Sequence, residues 1–142
     1  MAARNGSAEW KGDLKGGSGT VTVGDGVFEG QYSFSSRFEE GEGTNPEELI
    51  AAAHASCFAM ALSLLLGEDG HAPHSVRARA KVQLRNVNGL PTIARIDLEV
   101  EGSVPGIDED AFRSYADKAK AGCPVSRALA GVPEIELSAS LD

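Results

Sequence analysis

The sequence predicts an α+β fold, and three observations carry that expectation. Strand-like runs come in groups instead of alternating one for one with helices. Leu49–Leu66 is almost wholly apolar or small, which suits a long helix. Two runs that alternate charge with hydrocarbon flank Asn88-Gly89, which suits a long antiparallel hairpin. The expected order is β-β-β-α-β-β-α-α-β, with antiparallel strands and a buried central helix. At 142 residues the chain fits one domain spanning 1–142.

Ser7–Lys11, Gly19–Val23 and Val27–Ser35 hold aromatic or β-branched residues and are separated by glycines, so they read as a three-stranded meander. The central helix has a start signal in Asn45-Pro46-Glu47-Glu48. Asn45 suits the N-cap, Pro46 the first helical position, and Glu48 can complete a capping-box-like pair. Gly67 is the expected stop. The apolar run reaches the lower length limit for a membrane span. It nevertheless contains His54 and has acidic flanks with no positive anchor, so we read it as a core helix.

Ser75–Val87 places Val76, Ala78, Ala80, Val82 and Leu84 on one face and Arg77, Arg79, Lys81 and Arg85 on the other. Centring the turn on Gly89 sets Lys81 opposite Asp97, Arg79 opposite Glu99 and Arg77 opposite Glu101. Opposite charges across strands favour that register by roughly 0.2–1 kcal/mol per pair. The charges are thus a solvated sheet face and not a binding patch. Asp108 caps a second helix that ends at Gly122, Cys123-Pro124 opens a short third one, and Ile135–Leu141 is a closing strand.

The net charge is -8. This argues against nucleic-acid binding, which depends on Lys and Arg neutralising phosphates, and against anionic membrane surfaces. No apolar signal region follows the N-terminus, and two cysteines do not make a disulfide scaffold. A cytoplasmic setting is expected. There, two thiols are catalytic, redox-sensing, metal-binding or simply buried. Local physics makes Cys123 the more acidic thiol, because it stands at a helix start. Cys57 lies mid-helix, where a free cysteine often packs as a small hydrophobe. His54 and Cys57 share a helix face at i, i+3 and could form a nucleophile pair. With Cys123 and His71 or His74 they could also ligate a metal, but no paired ligand spacing supports one.

The stretches Phe34-Ser35-Ser36-Arg37-Phe38-Glu39, Gly43–Ser63 with its Ala53-His54-Ala55-Ser56-Cys57, and Ala119-Lys120-Ala121-Gly122-Cys123-Pro124-Val125-Ser126 resemble the osmotically inducible protein C family (OsmC) over essentially the whole chain. Ala53-His54 and Val125 differ from the pattern usual in the sister organic hydroperoxide resistance group (Ohr), so the OsmC branch is the better match.

The resemblance implies an intertwined homodimer and a thiol peroxidase for organic hydroperoxides, with hydrogen peroxide a poorer substrate, acting in oxidative or osmotic stress defence. It implies Cys57 as the attacking thiol, Cys123 as the resolving thiol, and Arg37 and Glu47 as their companions. It implies no cofactor and no metal, and a dithiol reductant such as a lipoylated protein. That overrides the local ranking of the thiols, since an arginine can activate a thiol that gains nothing from a helix terminus. Lowering a thiol pKa from about 8.5 to about 6 raises its thiolate fraction at pH 7 roughly 30-fold. Glu47 would hold Arg37 in a bidentate grip. Ten residues along one helix is about 15 Å, so Glu47 and Cys57 cannot share a compact site within one chain. A second subunit would have to supply Arg37 and Glu47. Glu48 is the competing carboxylate, with capping as its expected role. The alternative function is a redox-sensing or hydroperoxide-binding module without turnover.

Overall fold

The structure, a computed structural model, describes residues 1–142, which part into two compact units, Met1–Leu49 and Ile50–Asp142. The first holds β1 (Gly6–Lys11), β2 (Ser18–Val23), β3 (Phe28–Tyr32) and the short helix α1 (Phe34–Phe38). The strands form an antiparallel meander in the order β1-β2-β3, as expected.

The third strand ends at Tyr32, not Ser35, and α1 is a helix that the sequence reading did not foresee. Its cause is local hydrogen bonding. The Ser33 hydroxyl accepts from the Ser36 N–H at 3.1 Å, and the Ser36 hydroxyl accepts from the Ser33 N–H at 2.8 Å. This capping box outweighs the β preference of the preceding residues. Ser36 also donates to the Thr44 carbonyl at 2.7 Å, which ties α1 to the segment entering the next helix.

Helix α2 (Pro46–Glu68) starts as the sequence predicts. Asn45 Oδ1 accepts the Glu48 N–H at 2.8 Å, and Asn45 Nδ2 donates to the Glu48 carboxylate at 2.9 Å. The stop lies three residues beyond Gly67. Gly70 takes a left-handed φ of 81°, its N–H bonds the Gly67 carbonyl at 3.1 Å, and the His71 N–H bonds the Leu66 carbonyl at 2.8 Å. That is a Schellman ending, which needs glycine at its left-handed position.

The second unit contains most of α2 with β4 (Ser75–Val87), β5 (Leu90–Ser103), α3 (Glu109–Gly122), α4 (Pro124–Ala128) and β6 (Glu134–Leu141). Its sheet has the order β4-β5-β6. The pairs Arg77–Glu101, Arg79–Glu99 and Lys81–Asp97 stand opposite one another as expected. The ion contacts differ in detail: Lys81 Nζ reaches Glu99 at 3.0 Å, and Arg95 binds Asp97 and Glu134.

Near its tip the hairpin is one residue out of step with that register. Val87 pairs with Leu90 across a two-residue turn, with Asn88 at φ 52° and Gly89 at φ 84°. The Gly89 N–H donates to Asn86 Oδ1 at 2.9 Å. A bulge between Gln83 and Leu84 on one strand and Ile93 and Arg95 on the other restores the charge pairing below it. The extra residue sets Ile93 opposite Leu84 and Ile96 opposite Val82 despite their odd spacing.

Strand β6 joins β5 in parallel, Ile96 beside Ile135 and Leu98 beside Leu137. The expectation of antiparallel strands throughout is corrected here: α3 and α4 form the crossover that brings the chain back to the same end of the sheet. The α+β class stands.

The core gathers Phe58, Leu62 and Leu66 of α2, Ile96, Leu98 and Val100 of β5, and Phe112, Ala116 and Ala119 of α3. Gly102 makes room for Phe112, since a Cβ there would lie 2.5 Å from the ring. The expected burial of the whole central helix is also corrected. Beyond its first turn, where Glu47 is buried, only the stripe His54, Phe58, Leu62 and Leu66 is buried, at spacing i, i+4, while Met60 is 76% and Leu64 61% exposed. The helix is long and apolar enough to cross a membrane, yet that stripe is built into a core of sheet and helices.

Candidate active site

Two constellations carry chemistry, one in each unit. In Met1–Leu49, α1 presents Arg37 to Glu47 in the first turn of α2. Arg37 Nε donates to Glu47 Oε1 at 3.0 Å and Nη2 donates to Oε2 at 3.1 Å. This is the bidentate fork expected from the sequence, and it fixes the guanidinium plane. Glu47 is 7% exposed, so its charge is committed to Arg37. Glu48 is engaged by Asn45 instead, so the two adjacent glutamates have separate tasks. Arg37 lies against the Phe38 ring at 5.3 Å and borders an apolar cavity of about 420 Å³ lined by Trp10, Leu14, Tyr32, Phe34 and Phe38. Phe38 is part of that lining, whereas two bulky apolar side chains of α2 are not. Phe58 is in the core and Met60 faces outward.

In Ile50–Asp142, Cys57 of α2 meets Cys123 at the junction of α3 and α4. Their sulfurs are 3.0 Å apart, both as free thiols. A disulfide bond of about 2.05 Å needs them to close by roughly 1 Å. Cys57 is half-buried, while Cys123 is fully buried. At this separation the Cys123 thiol donates to the Cys57 sulfur, and their surroundings shift the two in opposite directions. Burial and the neighbouring Cys123 push the Cys57 thiol up, against a smaller pull from the Val125 N–H. Burial also pushes Cys123 up, but Cys57, the N–H and hydroxyl of Ser126 and the Val125 N–H outweigh it, and its pKa falls. Within this unit the more acidic thiol is therefore Cys123, as local physics predicts from the sequence.

His54 is not paired with Cys57. It is fully buried, and its Nε2 lies 2.7 Å from Ser126 Oγ. Its Nδ1 has no partner. Burial lowers its pKa, so the ring is neutral near pH 7. The four-ligand metal set considered from sequence is not assembled: no three His, Cys, Asp or Glu side chains converge, and His71 packs edge-on to Tyr115. Ser126 is the residue that sequence reasoning passed over. Its signal was its place three residues after Cys123, where a helical side chain reaches back to the N-cap.

Comparison with known proteins gives consistent relatives. The family model for OsmC-like protein matches residues 39–138. The chain is 53% identical over 127 residues to the peroxiredoxin OsmC of Escherichia coli, covering 89% of each chain. It is 33% identical over 99 residues to the organic hydroperoxide resistance protein of Xanthomonas axonopodis pv. citri, covering 69% of this chain and 68% of that one. Among solved structures, the organic hydroperoxide resistance protein OsmC of Legionella pneumophila superposes with a TM-score of 0.76 at 24% identity, over 99% of both chains.

Proposed function

The chain belongs to the OsmC-like protein family and is a thiol peroxidase for hydroperoxides, and we propose that Cys57 is its attacking thiol and Cys123 its resolving thiol. The observation that carries this reading is the 3.0 Å contact between the two sulfurs, one half-exposed and the other sealed. Cys57 is the sulfur that a peroxide can reach. Its thiolate attacks the outer peroxide oxygen, the O–O bond breaks and an alkoxide leaves, which takes a proton to become the alcohol. Cys57 sulfenic acid condenses with Cys123 to a disulfide, releasing water. A dithiol reductant, such as a lipoylated protein, restores both thiols by exchange.

Within its own unit Cys57 is the less acidic thiol, so attack at neutral pH calls for a cation. Arg37, held by Glu47, supplies it and also donates to the leaving oxygen as charge develops there. Glu47 lies ten residues before Cys57 on α2, about 15 Å along the axis, and this supports Arg37 and Glu47 reaching Cys57 from a second protomer. The exposed face of α2, with Met60 and Leu64, is the surface we assign to an isologous homodimer. The apolar cavity beside Arg37 favours a carbon-chain hydroperoxide over hydrogen peroxide. We read 1–142 as one domain, since the family match runs across residues 39–138. Its place is the cytoplasm, where reductants keep the pair cycling.

The test is steady-state consumption of cumene hydroperoxide and hydrogen peroxide with a dihydrolipoyl reductant. Sustained turnover, faster with the organic substrate and abolished by Cys57→Ser, is expected. A single oxidation without turnover would make the protein a sensor and overturn the reading.

A further inference from the structure

The cavity beside Arg37 is walled by aromatic rings, and the backbone is shaped to admit them. Trp10, Gly19 and Tyr32 stand side by side across β1, β2 and β3. The two rings meet over the glycine, with centroids 5.3 Å apart and planes tilted by 54°. A Cβ on Gly19 would lie 2.5 Å from the Tyr32 ring and 2.7 Å from the Trp10 ring, so only glycine lets them close. The Trp10 indole N–H donates to the Asp13 carbonyl at 3.1 Å, and the Gly17 N–H donates to the same oxygen at 2.9 Å. The indole is thereby fixed to the loop between β1 and β2. On the α1 side of the cavity Phe34 and Phe38 form a second tilted pair, at 4.9 Å and 45°.

Two cations attend these rings. Arg37 stands over Phe38 at 5.3 Å, and Lys15 Nζ stands over Phe34 at 5.9 Å. The saturated part of the wall is Leu14, which is 59% exposed. Any hydrocarbon gains by leaving water for such a place. An aromatic ring gains more. Its positive edge can meet the negative face of a wall ring, and its own face can meet a cation. A saturated ring of the same shape has neither interaction.

We infer that this cavity is the subsite for the organic group of the hydroperoxide, that the group it selects is an aryl one, and that Trp10, Tyr32 and Phe34 are the specificity-determining residues. This rests on the assignment of Arg37 to the peroxide group and narrows the carbon group that accompanies it. With the peroxide oxygens at the guanidinium, the ring on the adjoining carbon lies among the three aromatic side chains. Leu14 covers it and leaves water in doing so. That contact adds apolar area for any hydrocarbon and does not discriminate between an aromatic ring and a saturated one.

The experiment uses the single tryptophan of the chain, whose ring is part of the cavity wall, so that its emission reports a ligand entering. The probes are 2-phenyl-2-propanol and 2-cyclohexyl-2-propanol, which share a carbon skeleton and differ in the saturation of the ring. Neither carries a peroxide, so a protein without turnover still gives a result, and failure of the peroxidase reading is told apart from failure of this inference. The phenyl alcohol should bind with the lower Kd, by about twofold to tenfold, the worth of one aromatic pair. The cyclohexyl alcohol is the more hydrophobic of the two, so area burial alone predicts the opposite order. Phe34→Leu and Tyr32→Leu should each bring the two Kd values together, and Leu14→Ala should weaken both alike. Equal or tighter binding of the cyclohexyl alcohol to the parent protein, or an emission that neither probe changes, overturns the inference. Should a variant not fold, the two alcohols on the parent protein decide it alone.

Discussion

Arg37 and Glu47 are joined by two parallel hydrogen bonds of 3.0 and 3.1 Å, one partner on a five-residue helix and the other in the first turn of a long one. The pair orients a permanent positive charge and spends the nearby negative charge in doing so.

That division of labour separates two adjacent glutamates. Glu47→Gln should lower kcat/KM for an organic hydroperoxide at least about tenfold, the loss expected when one charged hydrogen bond is weakened. Glu48→Gln, whose amide can still face Asn45, should stay within about twofold of the parent. Steady-state peroxidase assays on the two variants measure the contrast. Equal losses would remove the special role of Glu47.

The cysteines should fail in different ways. Cys57→Ser should consume no hydroperoxide. Cys123→Ser should complete one oxidation and stop at a sulfenic acid that a dimedone-type reagent captures, because nothing is left to condense with it. Mass spectrometry of the trapped adduct reads the outcome, and an adduct on Cys123 in the parent protein would reverse the assignment.

The buried His54 makes stability depend on pH. Its folded pKa lies below the ordinary 6.5, so the unfolded chain binds a proton that the native one refuses. Its contribution is fully present above about 6.5 and is lost as pH falls through the depressed folded value. Urea midpoints across this range should fall in the parent and fall less in His54→Gln. Parallel curves would show that His54 is not the titrating group.

The outward face of α2 gives a test of assembly. Leu64→Lys places a charge on a site that is already 61% exposed in the single chain, so the protomer should fold unchanged. If that face joins two protomers, sedimentation should show a shift from dimer to monomer together with a loss of peroxidase activity. A dimer that persists at low protein concentration would move the interface elsewhere.

Gly102 predicts a packing effect. Alanine there would bring a methyl 2.5 Å from the Phe112 ring, in the middle of the core. Gly102→Ala should destabilise the fold by about 1–3 kcal/mol in chemical denaturation.

Much of this was legible in the sequence because the signals are local. Asn45-Pro46 starts α2 and Asp108 starts α3, where its carboxylate takes the Ala111 N–H at 2.8 Å. The hairpin's alternating charges fixed the register of its inner part. What escaped was set by hydrogen bonds between small polar side chains or by distant pairing. Helix α1 depends on two serines bonding each other's backbone. The bulge appears only when turn and sheet must be satisfied together, and the parallel β6 follows from a crossover that no single window contains. In the site, Arg37, Glu47, Cys57 and Cys123 came from the family resemblance. The His54–Ser126 contact joins residues 72 apart in sequence, a distance that no spacing rule covers.

The hairpin tip also bears on how the protein ages. An asparagine followed by glycine is vulnerable because the glycine nitrogen can close on the preceding carboxamide and turn the side chain into a carboxylate. At Asn88-Gly89 that nitrogen is already donating to Asn86 Oδ1 at 2.9 Å, and the turn holds Asn88 at φ 52°. The side chain that secures the turn thereby occupies the atom needed for the damage, and the sequence pair most exposed to slow chemical decay sits where the backbone is least free to undergo it.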